Sequence, residues 1–328
     1  MREVPKIEGY DIVGVLGSGG MATVWKARQH STDRMVAIKV LNKHLALREE
    51  ELEQFRAEVR LAARLSHPEI VRVYDAGISV GECHVVMELV DGYTVGQWIR
   101  RKGRLGVEDA LTVGLVTANA LGYAWGHHGM VHCDIKPENI MVHSDGSVKV
   151  TDLGLARTFS AGREQGADEY EHEVVGTPAY MSPEQIQGFT GLDFRADMYS
   201  LGASLYHMLT GALPFAGDPD QTLLDQLHNH TAPLDETVEL DGANLRDLEL
   251  LLAKMLAKDR DLRPPSWHAA SLDMRRVMNA AMPADPFAAQ PDTTLGYTPE
   301  TAQFLAQITA PPTGFFHRLR SKWGEGKG

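Results

Sequence analysis

Residues suited to holding an anion lie at two places near the start of the chain. The glycine-rich stretch Gly17-Ser18-Gly19-Gly20 joins two predicted strands, and its backbone N–H groups could fold over phosphate oxygens. Lys39 lies inside an apolar strand, where an ammonium group is costly to bury unless an anion meets it. A phosphate could be that anion, and so could Glu58 on the helix predicted to follow.

A second set of polar residues lies in the middle of the chain. The segment VHCDIKPEN places Asp134, Lys136 and Asn139 in one predicted loop, and Asp152 follows a predicted hairpin. The glycine stretch alone is weak evidence, because hairpin turns often contain glycine. A dinucleotide-binding motif would also need a helix after the glycines, whereas the strand ATVWKA follows here. The order of all these features is far more specific than any one of them.

The elements that must position these residues fall into two regions. From Tyr10 to Leu89, short β-rich runs surround one helical insert at 49–65, which predicts a small antiparallel sheet with a helix. Glu58 lies beside the apolar stripe of this insert, formed by Leu52, Phe55, Val59 and Ala62. Beyond Gly92, helical stretches at 108–128, 196–210 and 245–257 surround a hairpin whose turn is Ser144-Asp145-Gly146. The predicted fold class is therefore α+β.

Composition excludes several classes of protein. The 328 residues are 43% hydrophobic, and the net charge of −12 gives no support to nucleic-acid binding. Two cysteines, Cys83 and Cys133, cannot build a disulfide framework, and the charged start lacks the apolar core of a secretory signal, so we expect a cytoplasmic protein. The uncharged stretches 110–131 and 198–217 contain polar residues, which favours buried helices over transmembrane segments.

The last part of the chain has a different amino-acid composition. Residues 283–328 begin as a Pro-, Thr- and Ala-rich linker and end in FFHRLRSKWGEGKG. That ending combines aromatic and basic residues, so it could contact an anionic membrane or a partner, or remain a solvated tail. We predict an N-terminal tail at 1–9, a small lobe at 10–90, a large lobe at 91–282 and this final segment.

From about Tyr10 to Met282 the chain resembles the bacterial Hanks-type, or eukaryotic-like, serine/threonine protein kinases. The glycine loop with Gly-Gly-Met and the segment GTPAYMSPEQ are the clearest marks. The resemblance implies the two-lobed protein kinase fold with ATP in the cleft. It also implies transfer of the ATP γ-phosphate to Ser or Thr hydroxyls of proteins, autophosphorylation, and use of Mg²⁺ or, in its place, Mn²⁺.

The resemblance assigns catalytic roles to individual residues. Asp134 accepts the substrate hydroxyl, and Lys136 steadies the transferring phosphoryl group, an arrangement that favours Ser or Thr over Tyr as acceptor. Lys39 holds the α- and β-phosphates and pairs with Glu58. Asn139 and Asp152 are the implied metal ligands.

The resemblance also implies a nucleotide site made of the glycine loop, an apolar adenine site and a hinge. Ordinary core packing would explain each apolar member by itself. The implied residues are Leu16, Gly17, Ser18, Gly19, Gly20, Met21, Ala22, Thr23, Val24, Ala37, Lys39, Met87, Glu88, Val90, Met141 and Asp152.

Four further residues are expected to position the site. Thr177 is implied to contact Asp134 and Lys136 and to shape the acceptor site. A buried Glu184–Arg263 ion pair is expected to tether the substrate loop. Asp197, in an otherwise uncharged helix, is expected to bind the backbone of the catalytic loop.

The chain departs from the family pattern at three positions. Ala22 replaces the third glycine and Leu153 replaces the aromatic residue of Asp-Phe-Gly, and neither change threatens activity. Cys133 stands where most of these kinases have an arginine that grips a phosphorylated activation loop, which a thiol cannot do. Residues 161–176 contain no Ser or Thr, so we hypothesise activity without loop phosphorylation, with Thr158, Ser160, Tyr170 and Thr177 as the remaining candidate phosphorylation sites.

Other interpretations remain open from the sequence. Oxidation of Cys133 would obstruct Asp134, although an inert buried thiol is the simpler state. A pseudokinase scaffold that binds ATP without transfer, or a small-molecule kinase of the same fold, would share most of the motifs. The intact polar residues argue against the first and Thr177 with GTPAYMSPE against the second. Dimer formation is left open.

Overall fold

The structure is a computed structural model that describes residues 4–19, 22–41, 49–79, 82–152, 177–232, 234, 238 and 242–281. The described residues form two compact units. Unit one contains residues 4–91 and 150–152, and unit two contains residues 92–149 and 177–281.

Unit one is an antiparallel sheet with one helix, as the sequence predicts. The strands lie in the order β1-β2-β3-β5-β4, and α1 follows β3 in the chain. Their bounds are β1 Tyr10–Ser18, β2 Ala22–Gln29, β3 Arg34–Leu41, α1 Glu49–Ala62, β4 Val73–Ser79 and β5 Glu82–Glu88.

Alternation along β3 gives its sheet two buried faces. Val36, Ile38 and Val40 belong to one apolar cluster, whereas Leu41 belongs to a second cluster together with Phe55 of α1. Since side chains alternate along a strand, Lys39 projects on the same side as Leu41. The face covered by α1 is therefore the face that carries the strand lysine.

Helix α1 ends three residues before the predicted end of the helical insert at Leu65. The backbone N–H groups of Arg64 and Leu65 bond to carbonyls three residues back, which is a tightening of the helix end. Pro68 follows shortly, and a proline pushes the residue before it towards extended conformations. The local sequence thus ends the helix earlier than its apolar spacing suggests.

Unit two is mainly helical. Its helices are α2 Val95–Lys102, α3 Val107–His128, α4 Pro183–Ile186, α5 Phe194–Thr210, α6 Pro219–His228, α7 Gly242–Met255 and α8 Trp267–Ala281. A small sheet in the order β6-β7-β8 contains Gly92–Thr94, Ile140–His143 and Val148–Val150, whose last residue is counted with unit one. Short 3₁₀ turns cover Pro137–Asn139, Pro178–Tyr180 and Arg260–Leu262. The predicted two-part α+β architecture is confirmed.

The two uncharged stretches form helices inside unit two. Helix α3 packs against α5 and α8, and most side chains of α3 and α5 are buried. In the part of the chain that the structure describes, no helix combines the length and apolarity needed to cross a membrane. The predicted hairpin turn is also present, with Gly146 at a φ of 92° that favours glycine.

Candidate active site

Asp134 lies at the centre of a hydrogen-bonded cluster in unit two. Lys136 Nζ donates to Asp134 Oδ2 at 2.7 Å and to Thr177 Oγ1 at 2.8 Å. Asn139 Nδ2 donates to the same carboxylate oxygen at 3.0 Å and to the Asp134 backbone carbonyl at 2.8 Å. Thr177 therefore meets Lys136 directly, as predicted, and is linked to Asp134 through that lysine.

The two carboxylate oxygens of Asp134 differ in the hydrogen bonds that they accept. Oδ2 receives both side-chain donors, whereas Oδ1 accepts no hydrogen bond from any described residue. The Asp134 side chain is 20% exposed, so a small polar group can reach it. The cluster thus fixes the carboxylate through one oxygen and presents the other.

Helix α5 anchors the loop that carries Asp134. The buried carboxylate of Asp197 accepts the backbone N–H groups of His132 at 2.7 Å and Cys133 at 2.8 Å, which confirms the predicted contact. From the short helix α4, Gln185 Nε2 donates to the Cys133 carbonyl at 2.8 Å. Bonds to an ionised acceptor are stronger than neutral ones, so this loop is held firmly.

Backbone strain coincides with the candidate site. Cys133 and Asp152 have φ angles of 66° and 62°, in the left-handed region that disfavours residues with a Cβ. Such a residue costs roughly 1–3 kcal/mol and persists only where the surroundings fix it. At Cys133, those surroundings are Asp197 on the N–H and Gln185 on the carbonyl.

The thiol of Cys133 is buried, with 7% of the residue exposed. Its sulfur lies 3.9 Å from the Val131 carbonyl oxygen. This burial favours the inert thiol over the oxidation hypothesis, because oxidants need access to the sulfur. The activation-segment residues 161–176 lie outside the described residues, so the hypothesis about loop phosphorylation remains a prediction.

In unit one, Lys39 pairs with Asp152. The Nζ and Oδ1 atoms are 2.9 Å apart, and both side chains are mostly buried. The expected partner Glu58 has a side chain outside the described residues, so that pair stays a prediction. Asp152 is brought to Lys39 by Val150, which bonds to the backbones of Glu69 and Val71 at 2.8 Å each.

The predicted glycine loop lies between β1 and β2. Gly17 is opposite Val24 in the strand register and Ser18 is opposite Thr23. The Gly19 N–H donates to the Ala22 carbonyl at 2.9 Å, which closes the turn. Gly20 and Met21 lie outside the described residues.

The predicted adenine and hinge residues divide between the two units. In unit one Leu16 is 46% exposed, Ala37 pairs with Met87 across the sheet, and Val90 is buried. The Glu88 N–H donates to the Arg72 carbonyl at 2.8 Å. Met141 lies on β7 in unit two.

The predicted Glu184–Arg263 ion pair is confirmed. The two guanidinium nitrogens of Arg263 lie 2.6 and 2.9 Å from the two carboxylate oxygens of Glu184. Both side chains are almost completely buried. Arg263 also donates to the backbone carbonyls of Ala257, Arg195 and Lys258, so its remaining three donors are used as well.

The turn after Thr177 has contacts that the sequence did not indicate. The Tyr180 hydroxyl lies 2.7 Å from His207 Nδ1, and Gln226 Nε2 donates to the carbonyls of Pro178 and Ala179 at 3.3 and 2.7 Å. Burial raises the pKa of Tyr180 and lowers that of His207, so both groups are neutral near pH 7. A glutamine in a polar helix gives no sequence signal for such a role.

The two implied metal ligands offer the kind of atom that a magnesium ion needs. Both side-chain hydrogen bonds of Asn139 use Nδ2, and its oxygen accepts none from the described residues. Asp152 supplies a carboxylate, and oxygen atoms are the ligands that Mg²⁺ prefers. Among the described residues there is no group of three or more His, Cys, Asp or Glu that would form an all-protein metal cage.

Comparison with known proteins gives consistent similarities. The model of the protein kinase domain family matches residues 10–273. Serine/threonine-protein kinase PknB of Mycobacterium tuberculosis is 36% identical over 281 residues, which cover 84% of this chain and 44% of PknB. PknB of Mycobacterium leprae has the same identity and coverage. The chain thus spans less than half the length of these curated relatives.

Solved structures give the same similarity. The PknI kinase domain of Mycobacterium tuberculosis aligns with a TM-score of 0.65 and 27% identity over 84% of this chain and 100% of that domain. A mutant form of the same domain aligns with a TM-score of 0.67 and 26% identity over 85% of this chain and 100% of that domain.

Proposed function

This chain belongs to the protein kinase domain family, and from that premise we propose that it transfers the γ-phosphate of ATP to Ser or Thr hydroxyls of proteins. The observation that carries the proposal is the Asp134 cluster, with Lys136, Asn139 and Thr177 as its other members. The names of the PknB relatives support the same activity.

The chemistry follows from the two roles of the Asp134 oxygens. An acceptor hydroxyl that reaches Oδ1 can donate its proton there while Lys136 and Asn139 hold Oδ2. The Lys136 ammonium lies beside that carboxylate and adds positive charge where the transferring group develops negative charge. The protein thereby orients the hydroxyl and stabilises charge, which is most of what phosphoryl transfer requires.

Nucleotide binding is proposed for the residues that the family resemblance implies. In unit one, Lys39 would bind nucleotide phosphates, and the backbone of the turn at Gly19 would cover them. Asn139 and Asp152 would each offer an oxygen to a Mg²⁺ ion. When bound, Mg²⁺ neutralises charge on the phosphates.

An assay with ATP, Mg²⁺ and a generic protein acceptor tests the proposal. We expect transfer by the wild type and a loss of roughly 10²–10⁴-fold in Asp134→Asn, the range that general-base catalysis contributes. Asp145→Asn, at an exposed aspartate of the β7–β8 turn, is the matched control and should retain activity. Nucleotide binding without any transfer by the wild type would favour the pseudokinase alternative.

A small-molecule kinase of the same fold is the other alternative. The Lys136–Thr177 bond supports a protein acceptor, since it ties the reactive loop to the turn that follows Thr177. Transfer to aminoglycosides or choline, with none to proteins, would overturn the protein acceptor.

Activity without activation-loop phosphorylation is a second part of the proposal. It rests on Cys133, whose buried thiol offers no cation for a phosphate, and on the absence of Ser and Thr from residues 161–176. We expect phosphatase-treated protein to keep its transfer rate, measured from the first turnovers. Complete loss of activity after phosphatase, restored by preincubation with ATP, would contradict this expectation.

Finer features remain proposals from the sequence. Mg²⁺ is favoured over Mn²⁺ as the working ion, and both can be compared in the same assay. The cytoplasm is the proposed location, because the two cysteines cannot form a disulfide framework. Autophosphorylation is also proposed, as are dimer formation and contacts of the basic and aromatic tail with a membrane or a partner.

A further inference from the structure

Lys258 begins a chain of hydrogen bonds that ends on the turn after Thr177. Its Nζ donates to the Tyr199 hydroxyl at 2.9 Å, and that hydroxyl donates to Gln226 Oε1. Gln226 Nε2 in turn donates to the Pro178 and Ala179 carbonyls. These hydrogen bonds connect Lys258, which follows α7, through helix α5 and helix α6 to the 3₁₀ turn Pro178–Tyr180.

In every hydrogen bond of this series the donor lies on the Lys258 side and the acceptor on the side of the turn. An ammonium group has no lone pair, so Lys258 can only donate to the Tyr199 oxygen. The Tyr199 proton is then directed to Gln226 Oε1, which leaves the Gln226 NH₂ group to face the turn. The carbonyls at the far end can only accept. A charged Lys258 therefore favours the same Gln226 orientation that the turn requires.

The surroundings of Lys258 lower its pKa, so its charge can change with pH near neutrality. Besides the Tyr199 hydroxyl, its Nζ donates to the Asp225 carbonyl at 3.4 Å, and it lies 4.4 Å from the centre of the Phe215 ring and 5.3 Å from that of Tyr199. Burial and, to a smaller extent, the Arg263 guanidinium lower the pKa of Lys258 to about 8, and Asp225 opposes the shift. Burial raises the pKa of the adjoining Tyr199, while Arg263 lowers it and Glu184 raises it to smaller extents, so the phenol keeps its proton.

We propose that Lys258 is a positioning residue for the protein acceptor, which it serves by holding the Pro178–Tyr180 turn through Tyr199 and Gln226. The proposal rests on the proposed kinase function. An acceptor whose hydroxyl reaches Asp134 must place its neighbouring residues near Thr177, because Lys136 joins those two residues. The geometry of the adjoining turn therefore affects acceptor binding more than ATP binding.

The proposal predicts a pH dependence with a definite sign. Below pH 8 Lys258 is charged and fixes the direction of the chain. Above that pH the neutral amine can also accept, so Tyr199 no longer has to donate to Gln226. The KM for the acceptor should rise several-fold from pH 7 to pH 9 in the wild type. The acceptor peptide for this test should lack His, Cys and a free amino terminus, so that only the enzyme titrates.

Steady-state kinetics of Lys258→Met, Tyr199→Phe and the double variant test the coupling. Each single change should raise the acceptor KM by about tenfold, as expected for a lost hydrogen bond to a charged group, and leave the KM for ATP unchanged. The double variant should add little to either single effect, because both changes break one chain. Lys254→Met is the matched control, since Lys254 is partly exposed and pairs with Asp273 at 3.2 Å.

Amide hydrogen exchange tests the coupling without any catalysis. The N–H groups of Tyr180 and Met181 bond to Thr177 and Pro178 within the turn, so their exchange reports its integrity. Both should exchange about tenfold faster in Lys258→Met than in Lys254→Met. Equal exchange in the two variants would overturn the inference.

The kinetic and hydrogen-exchange measurements distinguish failure of the proposed kinase function from failure of the proposed role of Lys258. No transfer by the wild type would overturn the proposed kinase function. Transfer with an unchanged acceptor KM in Lys258→Met, or additive effects in the double variant, would overturn the role of Lys258 alone. Equal losses in the KM for ATP and for the acceptor would also overturn it, since they would indicate general damage to the fold.

Discussion

At the residue scale, each important carboxylate has a partner that limits what it can do. Asp134 is held at one oxygen by Lys136 and Asn139 and keeps the other for a ligand. Asp197 accepts two backbone N–H groups and positions the loop. The same residue type therefore has a chemical role in one place and a structural role in another, and hydrogen bonding decides which.

The Glu184–Arg263 pair gives a prediction for stability at this scale. Glu184→Ala leaves the Arg263 guanidinium buried without its carboxylate, and breaking a buried pair costs about 3–5 kcal/mol. Urea unfolding followed by circular dichroism should show this loss. Arg28→Ala removes a pair in which both side chains are mostly exposed and should leave the unfolding free energy nearly unchanged. Equal effects of the two substitutions would contradict the assignment.

At the scale of elements, helix α5 connects most of the site. Asp197 in its first turn holds the loop that carries Asp134, Tyr199 binds Gln226, and His207 in its last turn contacts Tyr180. These side chains point in different directions around the helix, because successive residues are about 100° apart. A helix with contacts on all sides must be buried, which explains why α5 carries so few charges beyond its first turn.

The His207–Tyr180 contact predicts how stability depends on pH. Burial lowers the pKa of folded His207 below 6.5, whereas the unfolded chain has the ordinary value. Below pH 6.5 the unfolded state therefore binds more protons, and the stability contributed by neutral His207 is lost as the pH falls through the folded pKa. Glu138 and Arg100 also act on this group, with opposite signs and smaller effect than burial.

Unfolding free energies of His207→Gln measured between pH 5 and pH 7.5 check this prediction. The variant should lose less stability than the wild type on acidification, because glutamine takes up no proton. His230→Gln, at an exposed histidine beyond α6, should follow the wild-type profile. Parallel profiles for wild type and His207→Gln would refute the assignment.

At the scale of the whole molecule, the kinase family match ends at residue 273 and the described structure at residue 281. Helix α8 packs against α3 and α7 and completes the helical unit. We therefore predict that a chain ending after Ala281 keeps its transfer activity to within about twofold, since it retains every residue of the family match and the whole of helix α8. A loss beyond tenfold would mean that residues 282–328 contribute to the site.

Much of this could be predicted from the sequence, for a physical reason. The resemblance to protein kinases rests on a few residue types in a fixed order, so the sequence alone indicates Lys39, Asp134, Asn139 and Asp152 as candidate site residues. The burial of helix α3 could also be predicted from the sequence, because a long stretch without charge in a globular protein has to be buried. The absence of charge is a local signal, since it depends only on residues that are close together in the sequence.

Only the tertiary structure decided how these residues are paired. It placed Lys39 on Asp152 and assigned different roles to the two oxygens of Asp134. The contacts of Lys258 with Tyr199 and of Tyr199 with Gln226 join residues 59 and 27 positions apart, and no sequence periodicity relates them. Such contacts depend on how helices pack and on which buried polar groups need a partner, and both are properties of the folded chain.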